Sequence, residues 1–256
     1  MDFIFAAILG VVQGITEFLP ISSTGHLILT SNLLRLPATE FWKSFEIAIQ
    51  LGSILAVVAL YAKKYIANVL VIKKIIVAFL PTAVFGLIFY KLIKQFLLGN
   101  STVVLWALLL GGVILIIFEF LYKEKLTATE EISAISYKQC LLIGLCQSLA
   151  MVPGVSRSAA TVVGGLSLGL KRKTIVEFSF LLAVPTMLAA TGLDLLKSAG
   201  SFAAGDFGVL GVGFAVSFIV ALFSIKFLLN FIKKHTFLPF GLYRIVVAIW
   251  FWLVIL

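Results

Sequence analysis

Residues 13–26 read Gln13-Gly-Ile-Thr-Glu17-Phe-Leu-Pro20-Ile-Ser22-Ser23-Thr24-Gly-His26. They lie inside an apolar segment, residues 3–34, and they place a proline, hydroxyls and ionisable side chains where a plain membrane helix would be apolar. Irregular backbone is tolerated at membrane depth only where protein buries it or where it lines a wet cavity. We therefore expect a re-entrant helix-turn-helix at a functional site, and the alternative is an ordinary kinked span.

The composition excludes a soluble protein. The chain has 256 residues, of which 62% are hydrophobic and 12% charged, and its mean hydropathy is +1.18. Soluble domains are about half apolar and about one quarter charged, so this chain has too little polar surface for a water-exposed exterior. The two cysteines, Cys140 and Cys146, form no zinc or redox motif and are expected to be buried small hydrophobes. Met1-Asp2-Phe3 lacks a positively charged region and a cleavage site, so we expect mature protein rather than a signal peptide.

The hydrophobic segments predict the fold class. Six of them meet or approach the length needed to cross about 30 Å of hydrocarbon. Two further stretches, 3–34 and 139–168, are broken in the middle by Pro, Gly, Ser and Thr, and each half is too short to cross alone. The sequence therefore predicts an all-α polytopic integral membrane protein with six transmembrane helices plus two re-entrant helix-turn-helix elements. The predicted spans are 45–62, 75–94, 102–122, 175–195, 209–229 and 240–256.

The basic residues favour the re-entrant alternative. If both broken stretches return to the side they came from, twelve of the twenty lysines and arginines fall on one face and five on the other. By the positive-inside rule the twelve are cytoplasmic, so both termini and the first re-entrant loop open outside. The net charge of +9 is then mostly a topology signal and not a sign of nucleic-acid binding. The twelve are Lys63, Lys64, Lys73, Lys74, Lys123, Lys125, Lys138, Lys171, Arg172, Lys173, Lys233 and Lys234.

The two broken stretches also resemble each other. The first contains Gly-Val-Val-Gln13 and the second Gly-Leu-Cys-Gln147, and each continues through a proline to Ser22 or Ser156 at the same offset of 134 residues. Each stretch is followed by three spans, so the halves have equal numbers of elements and start from opposite sides. This predicts an inverted-topology repeat whose broken helices meet near the midplane. The single membrane domain comprises repeat one at about 1–122, a cytoplasmic linker at about 123–138 and repeat two at about 139–256.

The first break carries groups that are costly inside a membrane and are therefore functional candidates. Gln13 and Glu17 are four residues apart and share one face of a helix, which Pro20 ends. His26 lies in the first turn of the following helix, where it serves either structure or function. That helix is predicted from Gly25 to Leu34, and its candidate N-caps are Ser22, Ser23 and Thr24.

The second break has the same form, with Arg157 in its middle and a helix predicted from around Ala159. Arginine binds phosphate through two parallel hydrogen bonds, and helix N-termini present free N–H groups to anions. Two such helix starts predict a binding site for phosphate or pyrophosphate. Hydrolysis of pyrophosphate also needs a nucleophile, and the candidates are His26, Ser23 and a water or metal ion bound by Glu17, which the sequence does not rank.

Other polar residues have simpler interpretations. Arg244 stands near the start of the last span, and we expect it to reach the cytoplasmic interface. His235 lies in a basic loop and is expected to be solvated. Glu46 and Gln50, four residues apart, lie either beside the site or at the membrane interface.

The two broken motifs, the first from Gln13 to His26 and the second reading Pro153-Gly-Val-Ser-Arg-Ser-Ala-Ala-Thr161, resemble the signatures of the bacterial undecaprenyl-pyrophosphate phosphatase family, linked to bacitracin resistance. The similarity runs over essentially the whole chain and includes Pro239-Phe-Gly-Leu-Tyr-Arg244. The resemblance implies removal of the terminal phosphate of undecaprenyl pyrophosphate, giving the monophosphate carrier lipid reused in peptidoglycan synthesis. It also implies a divalent cation, Mg or Ca, and a site that opens on the outer face of the bacterial cytoplasmic membrane.

The resemblance further assigns roles to residues. Arg157 would hold the pyrophosphate, Glu17 would bind metal or accept a proton, and His26 would act as nucleophile or general acid. Ser23 is the competing nucleophile. Gln13 stands where many members have Glu, and the family pattern allows either residue. The residues expected to bind substrate are Gln13, Ser22, Thr24, Ser156, Ser158 and Thr161.

Two other classes of function compete with the enzyme. Inverted repeats with broken helices are also typical of transporters, so a transporter or flippase of an anionic polyprenyl lipid is the main alternative. The third interpretation is a structural membrane subunit, which predicts that Arg157→Ala is tolerated. The expected partners are the lipid substrate and the bilayer, with no nucleic acid; the oligomeric state is open, and a homodimer is one alternative.

Overall fold

The computed structural model describes residues 2–37, 39–66, 68–92, 97, 100–198 and 206–255. Within these ranges the regular structure is helical apart from one isolated bridge between Thr129 and Leu170. The α-helices are α1 (Asp2–Thr16), α2 (Ser23–Leu33), α3 (Glu40–Ala48), α4 (Gln50–Tyr61), α5 (Val69–Leu92), α6 (Ser101–Leu121), α7 (Tyr137–Ser148), α8 (Arg157–Ser167), α9 (Arg172–Ser198), α10 (Asp206–Phe231) and α11 (Leu238–Ile255).

The helices confirm a polytopic all-α membrane protein. Five helical segments are long and apolar enough to cross a bilayer, namely 40–65, 69–89, 101–121, 172–194 and 206–231. A shorter apolar helix over Leu238–Val254 lies at the sixth predicted span. The first predicted span is built from α3 and α4, which meet at Ile49. Met1, the last two residues of the predicted span 75–94, and Leu256 lie outside the described residues.

Both predicted breaks are present. Helices α1, α2, α7 and α8 contain 15, 11, 12 and 11 residues, each fewer than the about 20 that a span requires. Helix α2 begins at Ser23, two residues before the predicted start, because Ser22 is its N-cap. Helix α8 likewise begins at Arg157 rather than around Ala159, because Ser156 caps it.

The two halves pack reciprocally. Helix α1, the first of one half, packs on α10, and α7, the first of the other half, packs on α5, which occupies the position equivalent to α10. Small residues permit this close approach. A Cβ added to Gly14 would lie 2.8 Å from the carbonyl oxygen of Ser217 on α10. A Cβ added to Gly144 would overlap the carbonyl oxygen of Ala78 on α5. Reciprocal pairing is what two repeats related by a twofold axis produce, while their orientation across the membrane stays a prediction.

Ion pairs hold the predicted linker against the end of α6 and the start of α9. The Arg172 guanidinium donates to both carboxylate oxygens of Glu119, at 2.5 and 2.8 Å, and the Glu119 side chain is 3% exposed. Lys171 pairs with Glu130, and its hydrogen bond and charge hold the pKa of the Glu130 carboxyl below its usual range. The first pair is partly buried and stabilises this end of the bundle, whereas exposed pairs contribute little.

Candidate active site

The two breaks meet, as predicted. Ser158 Oγ at the start of α8 donates to the carbonyl oxygen of Phe18 in the first break at 2.8 Å. Phe18 is itself fixed in the largest core cluster, where its ring makes an edge-to-face contact with Phe180 at 5.1 Å between centroids. The N-termini of α2 and α8 are thereby held beside each other. Ser158, a predicted substrate-binding residue, is buried and joins the two breaks in this structure.

Two serines shape the helix starts in the same way. Ser22 and Ser156 have φ of 73° and 77°, in the left-handed region that side chains other than glycine rarely adopt. Each hydroxyl accepts from the backbone N–H three residues on, in Gly25 and in Ala159. Such backbone costs about 1–3 kcal/mol and is concentrated at functional sites. Both predicted substrate-binding serines therefore present helix N-termini, with their hydroxyls used as caps.

Glu17 is the centre of the site. Its buried carboxylate accepts from Ser23 Oγ at 2.7 Å and from Gln13 Nε2 at 2.9 Å, both at Oε2. Its other oxygen, Oε1, lies 3.2 Å from Arg157 Nη2. A hydroxyl that donates to a carboxylate, which a cation holds in place, is the arrangement of a nucleophile and its base. Ser23 and its neighbour Thr24 are half-buried, so both hydroxyls lie nearer the surface than Glu17.

Gln13 orients this carboxylate. Because an ionised carboxylate only accepts hydrogen bonds, the amide nitrogen must face Glu17, which leaves Gln13 Oε1 pointing elsewhere. That oxygen is buried and has no hydrogen-bond partner in the described part of the chain. A buried acceptor without a partner is costly and favours a ligand that donates hydrogen bonds or carries positive charge.

Arg157 is held on three sides and has one donor left over. Its Nη1 donates to the carbonyl oxygen of Ser179 at 2.8 Å and to the Ser179 hydroxyl at 3.3 Å. Thr161, the last of the predicted substrate-binding residues, donates to the Arg157 carbonyl and lies 2.6 Å from the Ser179 hydroxyl, so it supports the arginine from behind. Arg157 Nε is buried and has no partner among the described residues, so one donor of the guanidinium is left unsatisfied.

His26 lies in the first part of α2 with both ring nitrogens engaged. Nδ1 is 2.8 Å from the carbonyl oxygen of Ser22, and Nε2 is 3.0 Å from the hydroxyl of Tyr243 on α11. The two rings are stacked at 5.6 Å between centroids, with 8° between their planes. Across the described ranges, no hydrogen bond joins His26 to Glu17 or Ser23. The structure therefore brings Ser23 rather than His26 to the Glu17 carboxylate.

Arg244 is the residue for which the sequence prediction is wrong. Instead of reaching the interface it is fully buried, because α11 already begins at Leu238 and carries Arg244 into the bundle. Gly111 and Gly112 on α6 open the room it occupies, since a Cβ added to Gly111 would overlap the guanidinium. The guanidinium donates to five backbone carbonyls, those of Pro20, Ala107, Leu108, Gly154 and Val155.

The Arg244 contacts join both breaks to α6. Pro20 belongs to the first break and Gly154 and Val155 to the second, and their carbonyls lie 3.4, 2.9 and 3.0 Å from the guanidinium. No salt bridge to Arg244 is found in the ranges that the structure describes. Glu17 balances Arg157, so Arg244 leaves the site with an excess of positive charge.

The remaining polar residues lie apart from this centre. Glu46 accepts from Ser31 Oγ at 2.5 Å, near the other end of α2. His235 is exposed, as predicted. Cys140 is buried and Cys146 half-buried, and both are free.

A divalent cation fits the site only together with phosphate. Among the described residues there is no group of three or more His, Cys, Asp or Glu side chains that could hold a metal ion. The oxygen donors at the centre are the Glu17 carboxylate and the Ser23 hydroxyl, whereas Gln13 Oε1 is turned away from that carboxylate. Mg²⁺ is commonly held by one or two carboxylates plus the phosphates of a substrate, which matches this set.

The fold and site define a polytopic membrane protein whose paired helix N-termini, buried arginines and carboxylate–serine pair suit a phosphate group. The chain belongs to the family described as bacitracin resistance protein BacA, whose model matches residues 6–250. It is 55% identical over 248 residues, 97% of each chain, to a protein of Sulfurihydrogenibium sp. (strain YO3AOP1) named undecaprenyl-diphosphatase. Proteins of the same name from Aquifex aeolicus and Persephonella marina are 53% identical over 95% of each chain and 47% identical over 100% of each chain. The resemblance seen in the two motifs is confirmed.

Proposed function

We propose that this membrane protein is an undecaprenyl-diphosphatase, which hydrolyses undecaprenyl pyrophosphate to undecaprenyl phosphate and inorganic phosphate. The observation that carries the proposal is the 2.7 Å hydrogen bond from Ser23 to Glu17 beside Arg157. A flippase would need anion binding but not a hydroxyl held against a base. Relatives that are about half identical to this chain over nearly their whole length bear that name.

The setting follows from the same assignment. The enzyme would act in the bacterial cytoplasmic membrane with its site open to the outer face, consistent with the distribution of basic residues. There it would return the carrier lipid to peptidoglycan synthesis and so confer bacitracin resistance. A homodimer stays a prediction.

Substrate binding uses positive charge and unpaired donors. The pyrophosphate would lie at the N-termini of α2 and α8, where backbone N–H groups and the helix dipoles favour anions. The unpartnered Nε of Arg157 would donate to it. The excess positive charge from Arg244 attracts the anion through space.

The first chemical step transfers the terminal phosphoryl group to Ser23. Its Oγ attacks the terminal phosphorus while the hydroxyl proton passes to the Glu17 carboxylate. The bond between that phosphorus and the bridging oxygen breaks, and undecaprenyl phosphate leaves with the bonding electrons. Arg157, which touches Glu17 and faces the anion, stabilises the charge that develops.

The second step hydrolyses the phosphoserine. A water attacks the phosphorus and gives one proton to His26 Nε2, and the bond from phosphorus to Ser23 Oγ breaks. The serine oxygen recovers its proton from Glu17, inorganic phosphate leaves, and His26 returns its proton to solvent. His26 is assigned to proton transfer because its nitrogens are turned to Ser22 and Tyr243 and not to Ser23.

The divalent cation is proposed to arrive with the pyrophosphate. Glu17 would hold it together with the phosphate oxygens, and when bound it would neutralise charge on the transferred phosphoryl group. A single carboxylate holds a metal weakly, so the protein's own hold on the metal is weak in the absence of phosphate.

The function is tested by phosphate release from undecaprenyl pyrophosphate in detergent. The wild type should release phosphate, and Ser23→Ala should release it only at a residual rate because the nucleophile is gone. Substrate labelled in its terminal phosphate should leave label on the wild-type protein after rapid acid quench, and none on Ser23→Ala.

The matched control is Ser167→Ala, an exposed serine at the end of α8 that donates to its own helix. It should retain full activity and labelling. Lipid binding by the wild type without phosphate release would favour the flippase. If Ser23→Ala released phosphate at the wild-type rate, the attack would instead be assigned to a water held by Glu17.

Removal of metal distinguishes a cation that binds together with the substrate from one that the substrate-free protein already holds. Treatment with EDTA is expected to stop phosphate release and to leave the thermal unfolding temperature of the substrate-free protein unchanged, since no described cluster holds a metal without phosphate. Restored activity on addition of Mg²⁺ or Ca²⁺ completes the test. A fall in the unfolding temperature on EDTA treatment without substrate would show a resident metal and contradict this assignment.

A further inference from the structure

Tyr243 is the side chain that controls the reactive nitrogen of His26. It comes from α11, 217 residues further along the chain, and places its hydroxyl 3.0 Å from His26 Nε2. The two ring planes are 8° apart. The stacking therefore fixes the orientation of the imidazole plane, while the hydrogen bond fixes the position of Nε2. Neither the Ser23–Glu17 pair nor the Arg157 contacts involve this tyrosine.

The partners of His26 decide which nitrogen carries the proton. The carbonyl oxygen of Ser22 can only accept, so Nδ1 at 2.8 Å must be the N–H donor in the neutral ring. Ser22 is the N-cap of α2, and the same carbonyl accepts from the backbone N–H of His26 at 3.1 Å. Nε2 then has a lone pair, and a phenol hydroxyl at hydrogen-bond distance donates to it. One contact four residues away, from Ser22, and one 217 residues away, from Tyr243, thus select one tautomer.

We propose that Tyr243 is a positioning residue that holds His26 as the Nδ1–H tautomer and so keeps Nε2 ready to accept a proton. The inference rests on the proposed phosphatase function, in which Nε2 takes the proton of the attacking water. The opposite tautomer would present an N–H at that position and could not accept. Tyr243 acts through His26 and need not touch the substrate.

The two side chains differ in exposure. His26 is 8% exposed, whereas Tyr243 is 43% exposed. The histidine is therefore enclosed by protein, and the tyrosine reaches it from the surface of the bundle. Its neighbour Arg244 anchors α11 to α6 and to both breaks, so the helix that carries Tyr243 is fixed beside His26.

The tautomer is measurable directly, because the chain has only two histidines. Protein labelled with ¹⁵N-histidine should give one signal set for His26 with Nδ1 protonated and Nε2 unprotonated, assigned by its absence in a His26→Gln sample. In Tyr243→Phe, which keeps the ring but lacks the hydroxyl, we expect a mixture of both tautomers. A wild type protonated at Nε2 would overturn the proposal, and so would a Tyr243→Phe spectrum identical to the wild type. This measurement needs no substrate, so its outcome is independent of the phosphatase assignment.

Kinetics give the second measurement. Tyr243→Phe should lower kcat about 10-fold or more, a part of the 10²–10⁴-fold that acid–base catalysis contributes, with KM changed little. The matched control is Tyr61→Phe, since the Tyr61 hydroxyl is buried without a partner in the described structure and lies away from His26. Tyr61→Phe should keep the wild-type kcat and tautomer. An unchanged kcat in Tyr243→Phe would refute the positioning role even if the tautomer shifted.

Discussion

Replacing Glu17 by Gln is expected to reduce kcat for phosphate release by about 10²–10⁴-fold, the contribution of a general base. The amide cannot take the Ser23 proton, although it can still accept the 2.7 Å hydrogen bond. Its loss of charge also leaves Arg157, whose side chain is 7% exposed, without a counter-ion. A Gln13→Ala variant should have a smaller effect, because Gln13 orients the carboxylate but does not receive the proton.

The same variant should be less stable, and a control must separate the two effects. Removing one partner of a buried ion pair costs about 3–5 kcal/mol in the free energy of unfolding. Glu119→Gln breaks the partly buried pair with Arg172 between α6 and α9, and it should also lose stability while phosphate release per folded molecule stays near wild type. If Glu119→Gln lost activity to the same extent, the effect of Glu17→Gln would be one of folding. Glu17→Gln protein that kept most of its kcat would exclude Glu17 as the base.

The two breaks could be predicted because their signals are local. A proline followed by serines inside an apolar stretch indicates both a helix end and the N-cap of the next helix. Ser22 and Ser156 could therefore be predicted as N-cap residues from the sequence. The contact between Ser23 and Glu17 is also short in sequence, six residues. What the pattern could not show is the left-handed backbone at the two caps, since serine has no preference for it.

The missed residues are those whose contacts are distant in sequence. Tyr243 meets His26 across 217 residues, and Arg244 meets Pro20 across 224. On its own span, Arg244 has the features of an interfacial arginine, and hydropathy cannot distinguish a charge that snorkels from one that backbone carbonyls surround. The available signals were the Gly111-Gly112 pair on α6 and the Tyr243-Arg244 motif, and they became interpretable only once α6 and α11 were seen to pack together.

Arg244→Met should be as damaging to activity as the loss of Glu17, by a different route. The variant removes all five hydrogen bonds and leaves the carbonyls of Pro20, Gly154 and Val155 to find other donors inside the bundle. Each buried group left without a partner costs about 1–3 kcal/mol. Because those carbonyls belong to both breaks, we expect the N-termini of α2 and α8 to separate and KM to rise together with the fall in kcat.

Arg244→Lys distinguishes geometry from charge. Lysine keeps the positive charge but offers three donors from one atom, so it cannot reach carbonyls on α6 and on both breaks at once. If fixing the breaks is the main role, Arg244→Lys should resemble Arg244→Met in thermal unfolding and in phosphate release. Recovery of KM alone in the lysine variant would mean that the charge attracts the pyrophosphate while the geometry serves the chemical step.

Lys226→Met, at an exposed lysine of α10, is the control for removing a cation from an apolar helix. It should change neither thermal unfolding nor phosphate release. Wild-type activity in Arg244→Met would show that the two helix starts hold each other through Ser158 and Arg157 alone.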